Sequence, residues 1–202
     1  MRYTLCLLIV ASCGNWALAK EDYLPLAVGN HWTMAVKAVS SKGQIITGTY
    51  QEETTGTVKK NGRDYFQMEH WVDWKSPDAK TARTKVVKHA ALVRKTEKAY
   101  YSTVQTKAGF EEGVIYVLPL KTGTSWHVRL ASKQRKITVL GRGTVKVPGG
   151  TYRHCYHLRV VYRTGTIKNI WLAPGIGKVK VNGTYPDGHQ TTFLLTDFKP
   201  GK

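Results

Sequence analysis

Acidic side chains are scarce. Against 31 Lys and Arg, the 202-residue chain has 13 Asp and Glu, a formal net charge of +18. That imbalance makes the surface a long-range attractor of polyanions and says nothing about catalysis or fold. Cysteine is scarcer still: Cys6, Cys13 and Cys155 are the three, and the first two fall in an N-terminal stretch with its own reading. A chain left with one thiol is not stapled by disulfides, so its core must hold it. No apolar run reaches the ~18–20 residues that a membrane-spanning helix needs. The Gly-rich phosphate loop, the G-x-S-x-G elbow and the H-E-x-x-H helix are missing too, which removes three chemistries that a sequence can announce. Nor is there a low-complexity linker, so nothing divides the chain into separate domains.

What is present begins with an export signal. Arg2 supplies the positive end, Leu5 to Ala11 is a short apolar run, and Ala17-Leu18-Ala19 is a small-residue cleavage site. Residues 1–19 would be removed, leaving 20–202 as a single β domain. The same stretch holds Val10-Ala11-Ser12-Cys13, which resembles a bacterial lipobox, with Cys13 as the candidate lipid attachment. Both routes end outside the cytoplasm, in the periplasm or at the cell surface, and both stay open here. The polyanions there are lipid head groups, lipopolysaccharide and acidic glycans. Simple solubility is the plainer account of the charge.

The mature chain repeats itself. Leu24-Pro25-Leu26-x-x-Gly29-x-x-Trp32 recurs as Leu118-Pro119-Leu120-x-x-Gly123-x-x-Trp126. A second phrase, Gly56-Thr57-Val58-Lys59-x-x-Gly62-x-x-Tyr65, returns as Gly143-Thr144-Val145-Lys146-x-x-Gly149-x-x-Tyr152. Two similar halves, about 20–117 and 118–202, follow from this. Pro has no amide to give a ladder and so precedes a strand, Gly allows a tight turn, and each Trp is expected as a core anchor at a strand start. His157 falls where His70 does, and Cys155 where Met68 does. The faces of the two strands disagree, however. Phe66, Met68, Val72 and Trp74 form one apolar face, whereas Arg153, Cys155, Arg159 and Val161 are mixed. Either the alignment holds only through the turn, or both faces are partly covered.

Short alternating runs separated by turn residues predict an all-β, mainly antiparallel fold, either a curved sheet or a half-barrel. Asn61-Gly62 is a two-residue hairpin signal. Arg129 to Leu140 reads as one strand ended by Gly141 and Gly143. Residues 77–93 are ambiguous: Ser76-Pro77 could start a short helix, but Thr81, Thr84, Val86 and Val87 favour strand.

The candidate chemistry is thin. Arg153, Cys155, His157 and Arg159 share a strand face by alternation. Cys155 and His157 are weak candidates for a metal or a reactive thiol, but a zinc site needs three or four ligands and a cysteine nucleophile needs a base. Packing is the plainer reading, and no cofactor is expected. Glu111-Glu112 reads as a solvent-facing pair. Arg129, Lys133 and Arg135 on one strand, with Arg153, Arg159 and Arg163 on another, are the candidate anionic contacts.

At these motifs the chain resembles a loose group of uncharacterised exported bacterial proteins and lipoproteins. The matching segments are Pro25 to Trp32, Leu118 to Trp126, Val147 to Cys155 and Trp171 to Lys180. More distantly, the β-rich pattern resembles the half-barrels of periplasmic lipoprotein carriers. The resemblance implies a β fold with a concave apolar face and carries over no site residue. The expectation is a non-enzymatic envelope protein binding an anionic or amphiphilic ligand. Anionic envelope components or lipids would be its partners, with peripheral membrane contact and no nucleic acid. A structural envelope component without a ligand is the alternative, and an enzyme resting on Cys155 and His157 stands third.

Overall fold

The computed structural model describes residues 22–75, 87–107, 109–131 and 133–201, with the backbone alone described at 87–89 and 133. The signal segment and Cys13 therefore lie outside the described residues. Twelve strands follow in chain order among the described residues. The first six are β1 (His31–Val39), β2 (Ile45–Lys60), β3 (Arg63–Lys75), β4 (Val87–Lys95), β5 (Ala99–Thr106) and β6 (Gly109–Val117). The second six are β7 (Ser125–Leu130), β8 (Lys133–Val147), β9 (Gly150–Tyr162), β10 (Ile167–Ala173), β11 (Gly177–Thr184) and β12 (Gln190–Lys199).

All strands belong to one antiparallel sheet in the order β6-β5-β4-β3-β2-β1-β12-β11-β10-β9-β8-β7. Each half is thus a meander of six strands, and the halves join where the last strand pairs with the first, from His31 opposite Lys199 to Val39 opposite Gln190. The sheet curls until its two outer strands meet. Glu111 Oε2 on β6 accepts the Ala131 amide just after β7 at 2.9 Å, but no ladder joins the two strands. The result is a nearly closed barrel, one step beyond the expected half-barrel.

The alternation that suggested strands is the alternation that builds the wall. On β1, Trp32, Met34 and Val36 are buried, while their neighbours point out. Asn61 and Gly62 both take positive φ and close the β2–β3 hairpin. Two readings change. The run from Arg129 to Leu140 is broken after Leu130 by a turn at Ala131, which has φ 52°, and β8 then continues through Gly141 and Gly143 to Val147. Of the ambiguous segment 77–93, residues 87–93 are strand, and residues 76–86 lie outside the described set. No helix occurs among the described residues.

The repeated phrase folds alike twice. Gly29 and Gly123 have φ of 86° and 85°. Gly29 donates to the Thr54 carbonyl at 2.8 Å and Thr54 returns a bond to Asn30 at 2.9 Å; Gly123 and Val139 repeat this at 2.8 Å, with Val139 donating to Thr124 at 2.9 Å. Trp32 and Trp126 are each the second residue of their strand. Beyond that point the halves slip. Thr54 pairs with Met68, whereas Val139 pairs with Leu158. Leu158, not Cys155, therefore stands where Met68 does, and Val160, not His157, stands where His70 does. The β8–β9 hairpin arm is longer than the β2–β3 arm, and it carries a bulge in β9 around His154, which takes φ 60°. The alignment holds only through the turn.

Candidate functional site

The barrel has a closed end and an open one. At the closed end the segment before β1 lies across the barrel. The Asp22 carbonyl accepts from Gly175 in the β10–β11 turn at 2.7 Å. The Asp22 carboxylate takes the Tyr100 hydroxyl and the Lys95 ammonium, the latter at 2.7 Å, on the opposite wall. Tyr23, Leu24 and Leu120 are buried beneath, and Trp32 donates its indole N–H to the Ile176 carbonyl. The two Leu-Pro-Leu phrases thus plug one end.

Inside is a cavity of about 340 Å³. Its apolar belt includes Met34, Ile115, Ile137, Val160, Ile170 and Phe193. Tyr50, Tyr116 and Tyr162 also face it, as do Arg135, Lys168 and Lys178. It leads to a wider mouth of about 710 Å³ at the β9–β10 and β11–β12 turns, lined by Gln134, Arg163, Thr164, Thr166 and Tyr185. Arg135, Tyr162 and Lys168 line both spaces.

Charges near the floor are compensated. Glu52, 7% exposed, accepts the Lys178 ammonium at 2.5 Å and the Tyr50 hydroxyl. Burial alone would raise the carboxyl pKa, but the Lys178 charge and the two hydrogen bonds outweigh it and hold the group below the usual carboxylate range. Burial pulls Lys178 down in turn, and Glu52 more than restores it, so the ammonium is held above its ordinary value. Burial likewise raises the Tyr50 phenol, and the Glu52 charge adds to it. Both members of the pair are locked in their charged forms near neutrality.

Charges at the mouth are not compensated among the described residues. Among the described residues neither Arg135 nor Lys168 has a carboxylate partner. Each instead faces the Tyr162 ring, with its charge centre 5.7 Å and 5.8 Å from the centroid.

The other candidates are scattered. Arg129, Arg153 and Arg159 are exposed on the outer surface. Lys133 opens β8, opposite Leu130. Of the six arginine and lysine candidates, the mouth collects Arg135 and Arg163. Cys155 is fully buried, its thiol donating to the Tyr152 carbonyl at 3.3 Å, and burial pushes its pKa up. That is the environment of an inert thiol. His157 stacks on Trp171 at 4.3 Å and bonds Asn169 Oδ1 through Nε2 at 3.0 Å. No cluster of three or more His, Cys, Asp or Glu able to hold a metal occurs among the described residues. Glu112 is not solvent-facing: Arg94 grips it through Nε, at 2.8 Å, and Nη2, and the Tyr65 hydroxyl donates to it.

Glu52, Lys168 and Lys178 were not singled out from the sequence. One signal was available for Lys168: in Lys168-x-Ile170-x-Leu172 a cation shares the phase of two core residues.

No protein-family model and no curated protein matches the chain by sequence. Solved structures do match its shape. A protein of Bacteroides fragilis with a YmcC-like fold, provisionally assigned as exported, superposes with a TM-score of 0.58 at 11% identity, covering 89% of this chain and 100% of that one. The likeness is one of fold. A provisionally assigned lipoprotein of Parabacteroides distasonis has a TM-score of 0.46 at 12% identity, over 89% of this chain and 99% of its own. A β-barrel-like domain of unknown function from Brucella abortus has 0.47 at 9%, over 87% and 99%.

Proposed function

We propose that this is an exported envelope protein that binds an anionic or amphiphilic ligand, a lipid, lipopolysaccharide or acidic glycan, in the barrel lumen without transforming it. One observation carries the reading. A cavity with an apolar belt opens onto a mouth where two half-buried cations, Arg135 and Lys168, have no carboxylate partner among the described residues. Leaving such charges unpaired costs free energy, and an anionic ligand would offset it. Apolar walls with a few placed polar groups are the usual make-up of a small-molecule site. Export rests on the Ala17-Leu18-Ala19 or Cys13 processing signals, and the partners are anionic components of the envelope, reached in solution or at a membrane surface. A non-enzymatic role is consistent with the floor. Proton transfer at neutral pH needs a group poised near pH 7, and the Glu52–Lys178 pair moves both members away from it.

Native mass spectrometry of protein purified without detergent from its own envelope tests this. The expected result is one anionic adduct per chain, lost on unfolding. No adduct, together with a melting temperature unmoved by anionic lipid, overturns the proposal.

A further inference from the structure

Three cations of this barrel are held by carboxylates. Lys178 has Glu52, Arg94 has Glu112, and Lys95 has Asp22. At the mouth, Arg135, Lys168 and Arg163 line one space with no carboxylate among the described residues around it. Neutral donors accompany them: Gln134, Thr164, Thr166 and Tyr185. Thr166 is buried, and its hydroxyl has Thr164 as its side-chain neighbour at a long 3.5 Å. The mouth is thus three cations and four amide or hydroxyl groups around a common volume.

We propose that the mouth is a phosphomonoester site, with the Arg135 guanidinium and the Lys168 and Arg163 side chains on the phosphate oxygens. This rests on the ligand reading above and narrows it. A carboxylate offers two oxygens in one plane and a single charge, which leaves the three cations undercompensated. A phosphomonoester carries about −1.5 to −2 near neutral pH and offers three strong acceptor oxygens. A guanidinium takes two of them in a fork, an ammonium meets a third as a point charge, and the hydroxyls fill what is left. The anion stays at the mouth because the floor is already neutralised by Glu52 and Lys178. Whatever is esterified to the phosphate then points inward along the belt of Met34, Ile137, Val160, Ile170 and Phe193.

Isothermal titration calorimetry of the full exported protein with dodecyl phosphate, dodecanoate and inorganic phosphate, each below any micelle concentration, separates the parts. Dodecyl phosphate should bind tighter than dodecanoate by about tenfold or more near pH 7.5. That ratio should shrink near pH 5, because the second phosphate pKa is about 6. R135Q and K168Q should each bring the ratio towards one. R163Q, at an exposed turn where folding is not at stake, should lower it in the same direction. Dodecanoate binding as tightly as dodecyl phosphate overturns the phosphate site and leaves the amphiphile reading standing. Inorganic phosphate binding as tightly as dodecyl phosphate does the reverse. A ratio unchanged in R135Q and R163Q overturns the assignment to the mouth, and no binding of either dodecyl anion overturns both readings.

Discussion

Glu52 lies almost fully buried in the barrel wall, and it is tolerable only because Lys178 reaches it from a strand 126 residues away in sequence. Removing one partner strands the other's charge, whereas removing both leaves a packable apolar gap. Glu52→Gln should therefore cost about 3 kcal/mol, near the lower end of the range for broken buried pairs because Lys178 keeps 29% exposure. The double variant Glu52→Gln/Lys178→Met should recover most of that loss. Chemical denaturation of the three proteins checks both statements, and a double variant no better than the single one refutes the account. The pair also sets a pH response. Glu52 has its folded pKa below its unfolded value, so its contribution is present above the ordinary carboxylate pKa of about 4.3 and is lost as pH falls through the folded value. Lys178 is raised, so its contribution is present below about 10.4 and fades as pH climbs through its folded value. Stability should show a plateau between these limits, and Glu52→Gln should flatten its acid shoulder. Cys155 gives a simpler check. Buried, with its thiol pKa raised, it should react with a thiol reagent only as fast as the protein unfolds.

Among the elements, the two seams between the halves are the informative pair. If β1 to β6 correspond to β7 to β12, then the β12–β1 seam and the β6–β7 seam occupy equivalent places in the ring. The first carries a full antiparallel ladder. The second is held by the Glu111 carboxylate on the Ala131 amide and by a close approach at Gly113, where a Cβ would come 2.9 Å from the Arg129 carbonyl. Amides on the facing edges of β6 and β7 should therefore exchange with solvent faster than those between β12 and β1. Glu111→Ala should speed exchange at Ala131 by up to about tenfold, the worth of one net hydrogen bond, with β1 and β12 unchanged. Equal protection at the two seams would contradict this. Elements of this kind also show what a sequence can convey. Strands and two-residue turns were legible because Asn61-Gly62 and the alternation of Trp32, Met34 and Val36 are local signals. The β9 bulge was not, since a positive φ at His154 leaves no glycine to mark it, and everything after it moves out of phase with the first half. The same locality explains the site. Arg135 and Arg163 stood out as cations in basic strands, but nothing local to Glu52 marks it, because its partner Lys178 comes from β11, 126 residues away. Lys168 comes beside Tyr162 through the β9–β10 hairpin and Arg135 through the β8–β9 pairing, but the lumen they face exists only once the whole ring has curled.

For the molecule as a whole, two electrostatic effects oppose each other. The ion pairs among the described residues gain from low ionic strength, but most are at or near the surface, where a pair is worth about 0–1 kcal/mol. Against them stands the repulsion within a chain of net charge +18. That repulsion acts at distances comparable to the barrel itself, so it is cut strongly once the Debye length shrinks to about 10 Å at 0.1 M salt. The short buried contacts, Glu52–Lys178 and Glu112–Arg94, are screened far less because water and ions are kept from them. Added salt therefore removes more repulsion than attraction. The melting temperature at neutral pH should rise as sodium chloride increases from about 20 to about 200 mM, a range over which the Debye length falls from about 20 Å to about 7 Å. Sulfate should raise it further, both by preferential exclusion from the surface and by occupying unpaired cations. Differential scanning calorimetry across that series decides the matter: a melting temperature that falls with sodium chloride would mean that the surface pairs outweigh the net charge.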